Sequence, residues 1–237
     1  MYLYDSSYIL VLIGALLCFV ASGYLKKTFK KYSQVRCQSG ISGAEAAARI
    51  LRSSGIVDVK VERVPGNLTD HYDPRNKTLR LSDSVYDSNS IAAVGVAAHE
   101  CGHAVQHNRG YVLLKLRSLL LPIASIGSKL GFPLVFLGIL FGLEFPIPGT
   151  DYILSLIDLG IIFFGAAVLF QLLTLPVEFN ASGRALHVLH DYGIMGTTEV
   201  DDTRRVLTAA ALTYVASAAT AALQLFRLIL LRDSRRR

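Results

Sequence analysis

The sequence predicts a mostly α-helical membrane protein with three to four transmembrane helices and one small α+β domain. Hydrophobic residues make up 52% of the 237 residues, and the mean hydropathy is +0.43, which is too apolar for an ordinary soluble domain. The apolar residues form long blocks of the length that membrane helices require. Only residues 26–112 form a stretch polar enough to fold as a water-facing domain.

The N-terminal segment, residues 1–25, is predicted to be the first transmembrane helix. Residues 8–25 carry no charge, and a cluster of lysines follows at 26–31. A cleaved signal peptide has its positive charges before the apolar run, whereas lysines beside a membrane helix favour the cytoplasmic side. We therefore expect the N-terminus outside and the 26–112 domain facing the cytoplasm.

The polar domain is expected to contain two helices and a small antiparallel sheet. Residues 44–54 have apolar side chains at helical spacing, and residues 57–62 and 78–82 alternate apolar and polar side chains as strands do. The second helix is predicted to begin after Asn89 or Ser90, since either side chain can cap a helix N-terminus.

This second helix carries the pattern His-Glu-x-x-His. His99 and His103 are four residues apart, so a helix presents both imidazoles on one face. Two such imidazoles can bind Zn²⁺, and Glu100 is then placed to act as a general base. A chance match is disfavoured because unpaired polar groups in an otherwise apolar helix are costly. Gly102, inside the pattern, would allow another backbone or a substrate to approach closely.

Two features of the same domain bear on substrate binding. The 78–82 strand is expected to lie at a sheet edge and to receive the substrate as an additional extended strand. His71 has two interpretations that the sequence leaves open. It either stabilises the oxyanion of a tetrahedral intermediate, or it closes a turn together with Asp70.

Residues 113–176 are predicted to form a transmembrane hairpin. Its two spans are 125–145 and 152–175, and Pro176 is expected to end the second one. The connecting residues 144–151 contain Pro and Gly but no Lys or Arg, as expected of an external loop.

The C-terminal segment, residues 206–237, is expected to be a membrane-associated helix. Residues 206–231 are apolar, and the arginine-rich end follows them. A fourth crossing would place this basic end outside, against the usual charge bias. The sequence alone therefore leaves open whether the segment crosses the membrane.

A catalytic zinc ion needs a third protein ligand besides the two histidines. His107 lies eight residues after His99, about 12 Å along a straight helix, which is too far to share one ion. His187 and His190 are alternatives, although such histidines are more often solvated.

Glu178 is the strongest candidate for the third ligand. It stands where the chain leaves a membrane run, at the start of segment 177–205, and a carboxylate there calls for a partner. Ser182 lies one helical turn further, so its hydroxyl would share a face with Glu178 and could support a ligand.

Three sequence blocks resemble the signature blocks of the YugP-like neutral zinc membrane metallopeptidases of bacteria. They are Leu-Thr-Asp-His-Tyr-Asp-Pro at 68–74, Ala-Ala-His-Glu-Cys-Gly-His-Ala-Val-Gln-His at 97–107 and Pro-Val-Glu-Phe-Asn-Ala-Ser at 176–182. The resemblance implies a zincin-like metalloprotease domain in the cytoplasmic membrane. It also implies zinc ligands at His99 and His103, a base at Glu100 and a glutamate at position 178.

A more distant similarity to HtpX-type membrane proteases implies the same arrangement of ligands. Those proteins also supply a glutamate from a helix that follows a membrane hairpin. They commonly have an Asp four residues after that glutamate, where this chain has Ser182.

The expected function is that of a zinc-dependent endopeptidase in the inner membrane of a bacterium. Its partners would be the lipid bilayer and protein or peptide substrates near the inner membrane surface, and the sequence leaves the oligomeric state open. The alternative is a non-catalytic membrane scaffold with a structural metal site. Nucleic acid is not an expected partner, because the net charge of +6 comes from basic residues that flank apolar runs.

Overall fold

The computed structural model describes residues 6–146, 149 and 153–236. The chain is mostly helical, with seven helices and five short strands in that part. The helices are α1 (Tyr8–Tyr32), α2 (Gly43–Ser53), α3 (Asp83–Tyr86), α4 (Ile91–Asn108), α5 (Val112–Phe141), α6 (Leu156–Asp191) and α7 (Thr197–Arg236). The strands are β1 (Lys60–Val64), β2 (His71–Asp73), β3 (Thr78–Ser82), β4 (Glu144–Pro146) and β5 (Ile153–Ser155).

The chain divides into two compact units. The first, called the membrane unit, comprises Met1–Val20, Leu116–Leu175 and Tyr214–Arg237. The second, called the site unit, comprises Ala21–Lys115 and Pro176–Thr213. Four helices (α1, α5, α6 and α7) are long and apolar enough to cross a membrane, so the chain is a membrane protein.

Within the membrane unit, small residues let the helices pack closely. A Cβ atom added at Gly131 of α5 would lie 2.9 Å from the Cβ of Phe164 and 3.2 Å from the Gly160 carbonyl oxygen of α6. On α7, the Thr220 hydroxyl donates a hydrogen bond to the Gly14 carbonyl of α1, at 3.0 Å. Small residues of this kind are typical of packed transmembrane helices, where the hydrophobic effect no longer drives association.

The end of α7 lies beside the beginnings of α1 and α6 within the membrane unit. The Arg227 guanidinium stacks 4.8 Å from the Tyr8 ring, and Arg232 lies 3.5 Å from the Asp158 carboxylate. Together with the Thr220 contact, these pairs show that α7 runs antiparallel to α1. The C-terminal helix therefore extends along the membrane unit as a fourth membrane-length helix.

The membrane helices differ from the predicted spans at two places. The helix α6 continues through Pro176 instead of ending there. Proline in a helix removes one hydrogen bond to the carbonyl four residues earlier, whereas ending the helix would leave four carbonyls without intrahelical partners. The predicted loop 144–151 contains the β4 strand, and its residues 147–148 and 150–151 lie outside the described part of the chain, as does Tyr152.

The core of the site unit lies between α2, α4 and the three-stranded sheet. The apolar face of α2 is buried, and its N-terminus is closed by reciprocal hydrogen bonds between Ser42 and Glu45. The helix α4 is buried over most of its length, and the Ser90 hydroxyl caps it by accepting a hydrogen bond from the Ala93 amide. This packing holds α4 rigidly inside the unit.

The expected antiparallel pairing of the two predicted strands is wrong. The strand order is β1-β3-β2, with β1 parallel to β3 and β2 antiparallel to it. The short connection from Asp73 to Thr78 makes a hairpin of β2 and β3. The chain between β1 and β3 is longer, so β1 can pair with β3 in parallel on the side of β3 opposite to β2.

The sheet order also overturns the expected role of the 78–82 strand. Since β3 is the central strand and pairs on both sides, its main-chain groups are already hydrogen-bonded. An extended peptide can add only to a free edge. The β3 strand therefore cannot receive a substrate strand.

Candidate metal centre

The helix α4 presents His99 and His103 on one face, one turn apart. Their ring centroids are 4.9 Å apart, and the rings are nearly perpendicular, at 85°. His103 and the neighbouring Glu100 are buried, with exposed fractions of 9% and 8%. Both imidazoles direct Nε2 toward the same point, where α6 supplies a carboxylate.

Glu178 of α6 lies at that point. Its Oε2 atom is 3.2 Å from His99 Nε2 and 3.4 Å from His103 Nε2. The carboxylate is 3% exposed, so it is removed from water, and both ring Nε2 atoms lie within reach of its Oε2 atom. The three donor atoms all lie within 4.8 Å of one another.

A close helix crossing brings Glu178 to the histidines. A Cβ atom added at Gly102 would lie 2.5 Å from the Ala181 carbonyl oxygen, which is closer than packing allows. The close approach expected at Gly102 is therefore confirmed. The glycine lets α4 and α6 touch through their backbones, and this sets the distance between the imidazoles and the carboxylate.

The other ring nitrogen of His99 contacts Ser182. Its Nδ1 lies 3.1 Å from the Ser182 hydroxyl, one turn along α6 from Glu178. The sequence predicted that this hydroxyl would share a face with Glu178 and support a ligand. The contact confirms the shared face, and it orients the His99 ring.

The support of His103 was missed in the sequence. Its Nδ1 lies 3.0 Å from Gln106 Oε1, and the Gln106 Nε2 donates to the Val177 carbonyl at 2.8 Å and to Asn180 Oδ1 at 2.9 Å. Arg184 Nε donates to the same Asn180 oxygen at 2.7 Å. The spacing of Gln106, three residues after His103, was an available signal for the first of these contacts.

The surroundings of His103 favour a positive charge on its ring. Burial alone would lower the pKa of His103. The hydrogen bond to Glu178 and the negative charges of Glu100 and Glu178 outweigh it and raise the pKa above its ordinary value. The negative charges of Glu100 and Glu178 that raise this pKa would also favour a metal ion beside the ring.

The three alternative histidine ligands lie elsewhere. His107 Nδ1 is hydrogen-bonded to the Tyr72 hydroxyl at 2.8 Å, and burial raises the pKa of Tyr72 to about 12, with added repulsion from Asp58 and Asp73. His187 and His190 are exposed beside Asp191. Within the described residues, only His99, His103 and Glu178 form a group that could hold a metal ion.

His71 is exposed on β2 and does not belong to this group. Its Nδ1 lies 2.9 Å from the Thr69 carbonyl, and Arg80 approaches its Nε2 at 3.5 Å. Asp70 binds the Ser82 amide and hydroxyl instead. The pair therefore does not simply close a turn, because His71 belongs to strand β2 and Asp70 holds the end of strand β3.

The donor set fits zinc in chemistry, and its two nitrogen–oxygen pairs fit zinc in spacing. Two imidazoles and one carboxylate leave the fourth position of a tetrahedral ion open, as catalytic sites do. Donors around a tetrahedral zinc with bonds of about 2.0–2.1 Å lie about 3.3 Å apart. The nitrogen–oxygen distances of 3.2 and 3.4 Å match that spacing.

Comparison with known proteins decides the family. A sequence profile described as "Putative neutral zinc metallopeptidase" matches residues 7–233. The chain belongs to this family. It is also 47% identical over 226 residues to the "Putative membrane protease YugP" of Bacillus subtilis (strain 168), across 94% of this chain and 96% of that protein. No solved structure matches the chain.

The family membership agrees with the geometry at the level of the metal. A zinc metallopeptidase family implies zinc, and the chain brings together three side chains suited to it. The recognised resemblance to the YugP-like family is therefore confirmed over nearly the whole chain.

Proposed function

We propose that the protein is a zinc-dependent endopeptidase that hydrolyses peptide bonds of proteins or peptides near the inner membrane surface. The observation that carries the proposal is the convergence of His99 Nε2, His103 Nε2 and Glu178 Oε2 within 4.8 Å. These residues would hold zinc through three protein ligands. A closed structural site would have four.

When bound, zinc would act as a Lewis acid that lowers the pKa of a water molecule toward about 7. Glu100 follows His99 in the buried helix, and its charge acts on His103. In the proposed reaction Glu100 takes the proton from the attacking water and gives it to the leaving amine. Gln106 and Ser182 keep the two imidazoles oriented while this proton moves.

The site unit is proposed to face the cytoplasm. The lysines of 26–31 lie at the C-terminal end of α1, where the chain enters this unit, and such lysines favour the cytoplasmic side. A cysteine introduced at the exposed Arg52 should react with a membrane-impermeant maleimide in inverted vesicles and not in intact cells. The opposite labelling pattern would reverse the orientation.

The catalytic proposal is tested by comparing Glu100→Gln with the wild type in detergent. Cleavage of an unfolded model protein should fall by about 10²- to 10⁴-fold, while the zinc content stays at one ion per chain. Glu62→Gln is the matched control, because it makes the same chemical change on the exposed strand β1. Full activity in Glu100→Gln would remove Glu100 from the mechanism.

A further inference from the structure

The two histidines of the metal centre are supported by different chemistry. The partner of His99 is the Ser182 hydroxyl, which can donate or accept a hydrogen bond. The partner of His103 is an amide, Gln106, whose two ends are not interchangeable. The direction of the hydrogen bonds around Gln106 can therefore be worked out from groups that only donate or only accept.

Arg184 fixes the direction at one end of this chain of contacts. A guanidinium donates and never accepts, so Asn180 must turn its oxygen toward Arg184 Nε, 2.7 Å away. The same oxygen lies 2.9 Å from the Gln106 side chain. Gln106 must therefore present its NH₂ group to Asn180.

The main chain fixes the same direction a second time. The Val177 carbonyl can only accept, and it lies 2.8 Å from Gln106 Nε2. With its NH₂ group committed to Val177 and Asn180, Gln106 offers only its oxygen to His103. The Nδ1 atom of His103, 3.0 Å away, must then carry the proton.

We propose that Gln106, Asn180 and Arg184 form a hydrogen-bond relay, in which Gln106 and Arg184 both donate to Asn180 Oδ1. This relay holds the proton of His103 on Nδ1 and keeps Nε2 for the metal ion. The three are positioning residues, and the relay rests on the metal site of the proposed function. His99 has no such fixed direction. The relay thus assigns to Arg184, which is outside the ligand set, a part in preparing a zinc ligand.

Two substitutions test the relay. Asn180→Asp keeps an oxygen that accepts from Gln106 and Arg184, so the relay should survive. Gln106→Met is similar in size but removes both the oxygen that accepts from His103 Nδ1 and the two N–H donors, so the relay should be lost.

The readout is the zinc affinity of the full-length protein in detergent, measured by competition with a chelator. Gln106→Met should weaken zinc binding by about 10- to 100-fold, as loss of a supporting group does. Asn180→Asp should lose less than about tenfold, the lower limit of that range. Equal effects of the two variants, or a larger loss in Asn180→Asp, would overturn the relay.

Arg184→Met provides a second test that does not depend on correct folding of Gln106→Met. Arg184 is only partly buried and lines an open cleft, so its loss should leave the thermal unfolding of the metal-free protein close to that of the wild type. Zinc binding should nevertheless weaken by several-fold, up to about tenfold. Unchanged zinc affinity in Arg184→Met would remove Arg184 from the relay.

Failure of the relay can be distinguished from failure of the proposed function. If the wild type binds zinc and His103→Ala abolishes that binding, the metal site stands whatever the relay variants do. If His103→Ala leaves zinc binding unchanged, the site itself is wrong and the relay falls with it.

Discussion

Two helix crossings in this molecule depend on glycine, one in each unit, and they serve different ends. In the membrane unit, Gly131 of α5 lets Gly160 and Phe164 of α6 pack against it. In the site unit, Gly102 of α4 touches the Ala181 carbonyl of α6. The contact in the membrane unit contributes to packing between apolar residues. The contact in the site unit places Glu178 beside His99 and His103.

Both crossings use close backbone packing at a glycine, but at Gly102 the side chains beside the contact are the candidate metal ligands. Close backbone contact stabilises both crossings through van der Waals packing. In the site unit, His99 of α4 and Glu178 of α6 each lie one helical turn from the contact. Substitutions at the two crossings should therefore separate effects on stability from effects on the metal.

The largest effect on zinc is expected for Glu178→Ala. This change removes one of three ligands and leaves the two imidazoles without their buried counter-charge, so zinc affinity should fall by more than about a hundredfold, beyond the loss of a supporting group. Metal content after dialysis against a weak chelator measures it. Retained zinc in Glu178→Ala would show that the third ligand is another residue. The Gly102 crossing would then not determine the geometry of the metal site.

Gly102→Ala should give the next largest effect. The added methyl group collides with the Ala181 carbonyl and pushes α6 away from α4. We expect zinc affinity to fall by about 10- to 100-fold and the free energy of unfolding to fall by about 1–3 kcal/mol. Chelator competition and thermal unfolding measure the two quantities. A normal zinc affinity would show that the crossing does not set the ligand distance.

Ser182→Ala should have a smaller effect on the metal. It removes the hydroxyl that contacts His99 Nδ1 and leaves the packing of α6 almost unchanged. Zinc affinity should fall by about tenfold, the lower end of the range for supporting groups. Ser182→Thr keeps the hydroxyl and serves as the matched control. A loss in the control as large as in Ser182→Ala would assign the effect to packing.

Gly131→Ala should leave the metal site unaffected. The new methyl group meets the Phe164 Cβ in the membrane unit, and overpacking of this kind costs about 1–3 kcal/mol. Thermal unfolding in detergent should therefore occur at a lower temperature than in the wild type, with zinc affinity unchanged. If Gly131→Ala weakened zinc as much as Gly102→Ala, the proposed division between the two crossings would be wrong.

The sequence carried enough information to find the metal-binding residues as candidates. Residues four apart on a helix must share a face, so His99 and His103 could be paired without coordinates. Glu178 could be singled out because a carboxylate at the end of an apolar run needs a partner. Gly102 was also informative, because glycine inside a helix is unfavourable and suggests that another backbone comes close.

The remaining features depend on contacts between distant segments. Gln106 was missed because its partners on α6 follow it by more than 70 positions. The parallel pairing of β1 with β3 depends on which strand forms the hairpin, and alternating polarity does not encode that choice. From the sequence, Pro176 was interpreted as a helix end because proline removes a backbone hydrogen bond from a helix. Ending the helix there would cost more, since its last four carbonyls would lack intrahelical partners.

The central claim is that one zinc ion is bound by His99, His103 and Glu178. The most direct measurement is anomalous X-ray scattering at the zinc edge from crystals of the zinc-loaded protein. We expect a single peak between the two Nε2 atoms and Glu178 Oε2. A peak at another group of residues, or none after loading with one equivalent of zinc, would contradict it.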